Sequence, residues 1–260
     1  MTQRRRITVV TGASRGIGAE TARQLAAAGD HVIVNYREKR RRAETVVAEI
    51  AAAGGSGETL GADIADPAAV AAMIATIGAR HGRLDTLVLN ASGGLERGAA
   101  VDYAMTLNRD AQVHLVRTAL PLLGDGTRII FITSHQAHFH GRKPVPADYE
   151  PIARSKRAGE DALRAMIPEL SARGIALRIV SGDMIDGTII VRLLERRDPD
   201  AVAVRRGQAA LPTIAEFAAE VVAACRTDTE SGHTTYVGGP DYLRGSVPRE
   251  ADTGAASVSG

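Results

Sequence analysis

The chain has 260 residues, 45% of them hydrophobic and 24% charged, and its 32 Lys and Arg almost balance its 30 Asp and Glu. This composition is typical of a soluble globular protein. With no Trp, three Phe, five Tyr and no large basic excess, it argues against a nucleic-acid-binding surface. The single cysteine, Cys225, excludes an internal disulfide framework and a multi-cysteine zinc site, and it favours a reducing, cytoplasmic compartment.

Apolar runs are short throughout the chain. The first, Ile7 to Val10, follows three arginines and is too short for the core of a signal peptide. No later run approaches the roughly 18 apolar residues needed to cross a bilayer. We therefore expect neither export nor membrane insertion, and a small-molecule or carrier-bound substrate as the partner.

Short aliphatic runs alternate with longer Ala-rich amphipathic stretches. In chain order, strands are predicted at 7–10, 31–36, 58–60, 86–90, 128–133, 175–180 and 234–237, and helices at 16–28, 38–53, 67–80, 101–123, 151–173 and 214–225. Several strands are apolar on consecutive residues, as burial on both faces of a parallel sheet requires. The pattern predicts one doubly wound α/β domain over residues 1–246 and a flexible tail over 247–260.

The first strand runs directly into the segment TGASRGIG at residues 11–18 and then into a helix. A strand, a glycine turn and a helix N-terminus in this order form a phosphate-binding site. Gly12 permits the tight turn, Gly16 lets backbone N–H groups approach a pyrophosphate, and Gly18 allows the helix to pack closely on the strand. The segment predicts nucleotide binding.

This loop resembles the cofactor loop of the short-chain dehydrogenase/reductase family. Further landmarks of that family follow in the expected order: Asp63, Asn90-Ala91-Ser92-Gly93, Asn108, Ser134, Lys156 and Gly238-Gly239. The resemblance covers about residues 6 to 240. It implies a single Rossmann-type domain with a seven-stranded parallel sheet and a nicotinamide-dependent oxidoreductase activity.

The end of the second predicted strand indicates which dinucleotide is bound. An acidic residue there would bind the adenosine ribose of NAD, whereas this chain has Asn35, Tyr36 and Arg37. Arg37 and Arg15 are placed to flank a 2′-phosphate, which favours NADP(H).

The resemblance implies a set of cofactor contacts along the whole chain. Asp63 and Ile64 are expected near the adenine, and Asn90 near the adenosine ribose unless it only terminates a strand. The full expected set is Gly12, Ser14, Arg15, Gly16, Ile17, Gly18, Asn35, Tyr36, Arg37, Asp63, Ile64, Asn90, Ala91, Ser92, Lys156, Gly182 and Ile185.

The chain departs from the family where the reaction takes place. Members usually carry a Tyr four residues before the active-site Lys, but Ile152 stands there, and the nearest Tyr is Tyr149, seven residues before Lys156. A gap of six residues is similar to the enoyl-acyl-carrier-protein reductases of the superfamily. Ser181-Gly182, where most members have Pro-Gly, is similar to their type III branch. Thr188 is displaced from the position of a usual nicotinamide contact.

The remaining expected roles also follow from the resemblance. Pro151 should begin a helix and keep Glu150 out of it, which would leave Tyr149 in a loop as the proton donor to the substrate oxygen. Lys156 would bind the nicotinamide ribose and lower the pKa of Tyr149. Ser134 would hold the substrate oxygen, and Asn108 would orient a water or Lys156. The structural alternatives are a surface Tyr, a strand-end Ser and an exposed helix Asn.

The loop from His135 to Asp148 contains three histidines. His135 or His138 could replace the missing Tyr as general acid. Without a carboxylate at ligand spacing, the loop predicts no metal site. The segment from Asn90 to Asn108 is shorter than in most members, which suggests an open wall of the substrate cleft.

Three functions follow from these patterns. Tyr149 and Ser181-Gly182 favour NADPH-dependent reduction of an enoyl thioester, whereas Asn108, Ser134 and Lys156 together favour carbonyl reduction. Of the two, enoyl reduction is slightly favoured by the sequence. Because the Tyr is displaced, a third hypothesis is a non-catalytic NADP-binding sensor or scaffold. Family members commonly form tetramers or dimers, through a face that here contains Ala158, Ala162, Ala165 and Met166, unless these residues belong to the core.

Overall fold

The computed structural model describes residues 4–94, 102–197 and 199–243. The predicted tail at 247–260 and residues 95–101, within the short segment between Asn90 and Asn108, lie outside these residues. No helix in the described ranges is long and apolar enough to span a membrane.

Strands and helices alternate along most of the chain. The strands are β1 (Ile7–Val10), β2 (His31–Tyr36), β3 (Ser56–Gly61), β4 (Leu84–Leu89), β5 (Leu123–Ser134), β6 (Ala176–Gly182) and β7 (Thr234–Val237). The helices are α1 (Gly16–Ala27), α2 (Arg40–Ala52), α3 (Pro67–His81), α4 (Tyr103–Met105), α5 (Ala111–Ala119), α6 (His135–His138), α7 (Glu150–Ala165), α8 (Ile167–Ser171), α9 (Ile189–Arg197), α10 (Pro199–Gln208), α11 (Ile214–Ala224) and α12 (Pro240–Leu243). A π-helical turn, Thr106–Asp110, precedes α5, and a 3₁₀ turn, Leu120–Leu122, follows it.

The sheet has seven strands in the order β3-β2-β1-β4-β5-β6-β7, and all neighbours pair in parallel. This confirms the doubly wound α/β prediction. The strand order reverses direction between β1 and β4, and the crevice at such a point is where α/β sheets bind their ligands.

The sheet is buried on both faces. Successive residues of a strand point to opposite sides, so Val9 belongs to one core cluster with Leu115 and Leu163, and Val10 belongs to the other with Leu25 and Val221. The helices α3, α5 and α7 cover the first face and α1, α2 and α11 the second. Because both faces of the sheet are covered by helices, consecutive residues of a strand are apolar.

Two predicted helices differ from the observed ones, and two observed helices have no predicted counterpart. The stretch predicted as a helix over 101–123 is divided by the π-helical turn and ends in the 3₁₀ turn, and residue 101 lies outside the described ranges. The stretch predicted over 151–173 is divided into α7 and α8, where Pro168 cannot continue the first helix. The helices α9 and α10 were not predicted.

Candidate active site

Four chain segments converge at the carboxyl edge of the sheet. The glycine loop follows β1, Asn90 follows β4, Ser134 ends β5 and Gly182 ends β6. Because the strands are parallel and adjacent, these residues lie at one edge, beside the point where the strand order reverses.

The glycine loop is shaped for close approach. Gly12 has φ +63°, which an L side chain rarely adopts, and a Cβ on Gly18 would lie 2.4 Å from Asn90 Nδ2. Gly16 is exposed, and a Cβ there would meet nothing within 4 Å. The loop thus presents open backbone at the start of α1, where anions bind favourably.

Thr11 joins the glycine loop to the end of β4. Its Oγ1 accepts hydrogen bonds from the N–H groups of Asn90 at 2.9 Å and Ala91 at 3.0 Å. Asn90 Nδ2 donates to the Thr11 carbonyl at 2.8 Å. The Asn90 amide therefore holds the loop in place. Sequence reasoning missed Thr11, although its position at the start of TGASRGIG was a signal.

Asn35, a predicted cofactor contact, has a buried side chain. It is only 2% exposed, and its Oδ1 accepts from the Gly12 N–H at 3.3 Å while its Nδ2 donates to the Ala62 carbonyl at 3.1 Å. A buried amide of this kind is satisfied by backbone partners. The Asn35 amide therefore connects the glycine loop to the residue that follows β3.

Two arginines beside the loop are accessible. Arg15 and Arg37 are both exposed, and Arg37 Nη1 donates to the Tyr103 hydroxyl at 2.5 Å. Guanidinium groups beside an open glycine loop suit a phosphorylated dinucleotide. The other expected contacts have various exposures: Ser92 is exposed, Ser14, Ile17, Tyr36, Asp63 and Ala91 are half-buried, and Ile64, Gly182 and Ile185 are buried.

Ser134 and Tyr149 meet in the structure. Their hydroxyl oxygens lie 3.3 Å apart, although the residues are 15 positions apart in the chain. Ser134 Oγ also accepts from the Ala137 N–H at 3.3 Å, which caps α6. Two hydroxyl donors at one point can bind one oxygen atom of a substrate.

Tyr149 lies immediately before α7, as expected from Pro151. The helix begins at Glu150, however, so the prediction that Glu150 stays outside it is wrong. The first turn of a helix has no internal partners for its N–H groups, and Pro151 fits at its second position. The Tyr149 N–H bonds the Pro146 carbonyl at 2.9 Å and so fixes the approach to the helix.

Burial raises the pKa of Tyr149, and the hydrogen bond with Ser134 partly opposes that rise. The expected lowering of this pKa by Lys156 is therefore not found. The phenol stays protonated at neutral pH, which is the form that a proton donor requires.

Ile152, at the usual position of the family Tyr, belongs to the core. It is 4% exposed, and its Cδ1 lies 2.5 Å from where a Cβ on Gly94 would be. Position 94 must therefore lack a side chain for Ile152 to pack as it does. Position 152 is therefore structural in this chain.

Asn108 joins the π-helical turn to α7. Its Nδ2 donates to Ser155 Oγ at 2.9 Å and to the Gly93 carbonyl at 3.0 Å, and Ser155 Oγ donates to the Ile152 carbonyl at 2.9 Å. The π-helical turn thus interrupts the predicted helix at Asn108, and the Asn108 side chain contacts the residue before Lys156. Ser155 was missed because a serine inside a helix carries no distinct signal.

Lys156 is 9% exposed in α7, one turn before Glu160. Burial lowers the pKa of Lys156 to about 8, and the Glu160 carboxylate opposes this shift. A lysine with this pKa changes charge close to physiological pH.

The loop histidines are part of the scaffold. His135 Nδ1 forms a hydrogen bond with Ser181 Oγ at 2.8 Å, and its Nε2 forms one with the Gly238 carbonyl at 3.0 Å. His138 Nδ1 forms a hydrogen bond with the Glu160 carboxylate at 2.9 Å, and its Nε2 forms one with the Tyr236 hydroxyl at 3.0 Å. Both rings are fully engaged, which argues against the alternative that either one donates a proton to substrate.

The segment after β6 is also held by packing. A Cβ on Gly182 would lie 2.4 Å from the Phe217 ring, so this position requires glycine. The displaced Thr188 donates to the Ile185 carbonyl at 2.8 Å. Beyond it, Arg205 binds the carboxylates of Asp183 and Asp241 at 2.7 and 2.8 Å and joins α10 to this segment.

Comparison with known proteins decides the family. A family model described as short chain dehydrogenase matches residues 6–198. The chain belongs to the short-chain dehydrogenase family. The loop TGASRGIG, Ser134 and Lys156 lie within the matched region.

Two relatives of this short-chain dehydrogenase are curated reductases. The 1-cyclohexenylcarbonyl-CoA reductase of Streptomyces collinus is 32% identical over 70% of this chain, which spans 66% of that protein's length. Versicolorin reductase 1 of Aspergillus parasiticus is 33% identical over 68% of this chain and 68% of its own length.

Solved structures of similar fold contain bound NADP. The angucycline C-6 ketoreductase LanV with bound NADP has a TM-score of 0.75 at 28% identity, over 90% of this chain and 95% of its own. A short chain dehydrogenase from Burkholderia cenocepacia in complex with NADP has a TM-score of 0.76 at 30% identity, over 90% and 96%.

Proposed function

We propose that the protein is an NADPH-dependent reductase that delivers hydride to a carbonyl carbon. The observation that carries this proposal is the 3.3 Å contact between the hydroxyls of Ser134 and Tyr149. Two donors that share one point suit the oxygen on the carbon that accepts hydride.

Each residue has a distinct part. NADPH, when bound, supplies the hydride. Ser134 donates a hydrogen bond to the substrate oxygen and orients it, and Tyr149, protonated at neutral pH, gives its proton to that oxygen as negative charge develops. Lys156 binds the cofactor ribose and contributes positive charge. Asn108 positions α7 through Ser155.

The preference for NADP(H) rests on Arg15 and Arg37. Both are exposed beside the glycine loop, and no acidic side chain occupies the end of β2. The NADP complexes among the structural neighbours support the same assignment.

Replacing each arginine in turn tests the preference for NADPH over NADH. A charge-assisted hydrogen bond contributes about 1.5–3 kcal/mol, so Arg37→Ala should lower kcat/KM for NADPH by roughly 10- to 100-fold and leave the NADH value almost unchanged. Arg15→Ala should act in the same direction. Exposed Arg41→Ala in α2 is the control. Equal kcat/KM for NADPH and NADH in the wild-type protein would contradict the preference.

A second candidate is reduction of the C=C bond of an enoyl thioester. The six-residue gap between Tyr149 and Lys156 favours it, and so does the similarity to 1-cyclohexenylcarbonyl-CoA reductase. In this case Tyr149 would stabilise an enolate oxygen while hydride enters two carbons away.

The two substrates are distinguished by turnover and product. We expect purified protein with NADPH to convert an acetoacetyl thioester to the 3-hydroxy product faster than it converts a crotonyl thioester to the butyryl product. Faster crotonyl reduction would replace the proposal by the enoyl candidate. NADPH binding without turnover of either compound, or of a wider carbonyl and enoyl panel, would favour a sensor or scaffold.

The substrate class, the cellular location and the oligomeric state remain expectations. We expect a small-molecule or carrier-bound substrate, a cytoplasmic location and a homotetramer or homodimer. The thiol of Cys225 is buried, and burial raises its pKa to about 12, so a reducing compartment is compatible with it but chemistry at this thiol is not expected.

A further inference from the structure

Two histidines and a glutamate meet at the amino-terminal side of the sheet. His31 is the first residue of β2, Glu58 lies in β3, and His81 is the last residue of α3. One nitrogen or oxygen atom from each lies within 4.8 Å of the other two. The glycine loop and Ser134 follow the opposite ends of their strands, so this cluster is separate from the proposed active site.

The distances suit a small cation after a slight adjustment. His31 Nε2 lies 3.5 Å from Glu58 Oε1, close to the roughly 3.4 Å between neighbouring ligands of a tetrahedral zinc ion. His81 Nε2 lies 2.7 Å from the same oxygen, a hydrogen bond that a bound cation would replace. The imidazole proton of His81 would then move to Nδ1, so that Nε2 can coordinate.

The His31 ring is already oriented for coordination. Its Nδ1 lies 2.7 Å from Ser56 Oγ, and its buried Nε2 has no hydrogen-bond partner among the described residues. A hydrogen bond at one ring nitrogen fixes the ring of a metal-bound histidine and leaves the other nitrogen to the metal. An unsatisfied buried nitrogen that faces a carboxylate oxygen is what such a site requires.

Glu58 presents a single oxygen to the cluster. Arg80 Nη1 hydrogen-bonds its Oε2, which orients the carboxylate and leaves Oε1 toward the histidines. The three side chains are 17–24% exposed, so a hydrated cation can reach them. Arg80 also brings positive charge, which will moderate the affinity for a divalent cation.

We propose that His31, Glu58 and His81 bind one zinc-type divalent cation, with water completing the coordination, and that the cation fastens β2, β3 and the end of α3 together. Two imidazoles and one carboxylate are a donor set that zinc prefers. The role is structural, because no residue of the proposed active site contributes to the cluster.

The test uses full-length protein without a histidine tag, stripped with a chelator and titrated with Zn²⁺ by calorimetry. We expect one Zn²⁺ per chain and a rise in Tm on binding. Co²⁺ should give the visible absorption of a low-coordinate nitrogen and oxygen site. Failure of the wild-type protein to bind stoichiometric Zn²⁺ would overturn the proposal without any variant.

Variants then locate the bound ion. His31→Asn, His81→Asn and Glu58→Gln should each weaken Zn²⁺ binding by at least about tenfold, and Ser56→Ala by about tenfold through loss of ring orientation. Exposed His233→Asn is the matched control and should bind as wild type. Wild-type affinity in His81→Asn and Glu58→Gln would show that the ion binds elsewhere and would overturn the proposal.

Discussion

The buried charge of Lys156 lowers the stability of the folded protein. It is buried in α7, and burial lowers its pKa to about 8 from an ordinary 10.5. At pH 7 the folded protein therefore retains a cation that burial disfavours, and Glu160 offsets this only in part. The unfolded chain carries the same charge in water without that cost.

We predict that Lys156→Met stabilises the cofactor-free protein. The free energy of unfolding should rise by roughly 1–3 kcal/mol at pH 7. The wild-type lysine releases its proton in the folded state above about pH 8, whereas the unfolded chain holds it up to about 10.5. The advantage of the variant should therefore shrink across that range.

Urea unfolding at pH 7 and pH 9.5 measures this prediction. Arg154→Met, which removes an exposed cation from the same helix, is the control and should change stability little. The Lys156 variant should also lose reductase activity. A variant that is less stable than wild type at pH 7 would contradict the account of this lysine.

Single residues were predictable where a motif fixes both type and position. Ser134 and Tyr149 were assigned from the sequence and lie together in the structure. Thr11 and Ser155 were not assigned, because their importance comes from partners 79 and 47 positions away. The burial of Asn35 could not be predicted from the motif, since it depends on β3 and the glycine loop packing around this residue.

At the scale of elements, α7 is held against the π-helical turn by a contact that only glycine permits. A Cβ on Gly159 would lie 2.0 Å from the Asn108 carbonyl oxygen. That oxygen belongs to backbone, which cannot move aside as a flexible side chain can. The close approach brings Ser155 within reach of Asn108.

Gly159→Ala should therefore separate α7 from the turn. We expect a loss of about 2 kcal/mol in the free energy of unfolding, as overpacking usually produces, together with reduced kcat. Gly207→Ala in α10 has nothing within 4 Å of the added Cβ and should be neutral or slightly stabilising. Equal stability of the two variants in thermal unfolding would argue against this contact.

Elements were predictable where hydrophobic periodicity is strong. The strands from β1 to β7 were all anticipated, although the weak β3 proved longer, at Ser56–Gly61. The interruption near Asn108 was not visible in the pattern, because the π-helical turn arises from packing against α7. The helices α9 and α10 were missed because their segments follow β6 without clear start signals.

For the whole molecule, the sequence predicts self-association through one face of α7. Ala165 is exposed and Ala158 and Ala162 are half-buried, whereas Met166 is buried in the core. Met166 therefore belongs to the core, and we propose that Ala158, Ala162 and Ala165 contact a second copy of the chain. Small side chains permit close approach of two helices.

We predict a dimer or tetramer that depends on this face. Sedimentation velocity should give a species larger than the monomer for wild type, and Ala165→Glu should shift it toward smaller species. Ala51→Glu, on the exposed side of α2, is the control and should leave the distribution unchanged. A wild-type monomer, or an unchanged assembly in Ala165→Glu, would contradict the prediction.

We propose that Tyr149 replaces the usual family Tyr as proton donor beside Ser134. The most direct test is the kcat/KM of Tyr149→Phe with NADPH and an accepted carbonyl or enoyl substrate, compared with Tyr236→Phe. General acid catalysis contributes about 10²–10⁴-fold, so Tyr149→Phe should lose at least about 100-fold while NADPH affinity and the control stay near wild type. Full activity in Tyr149→Phe would contradict the account.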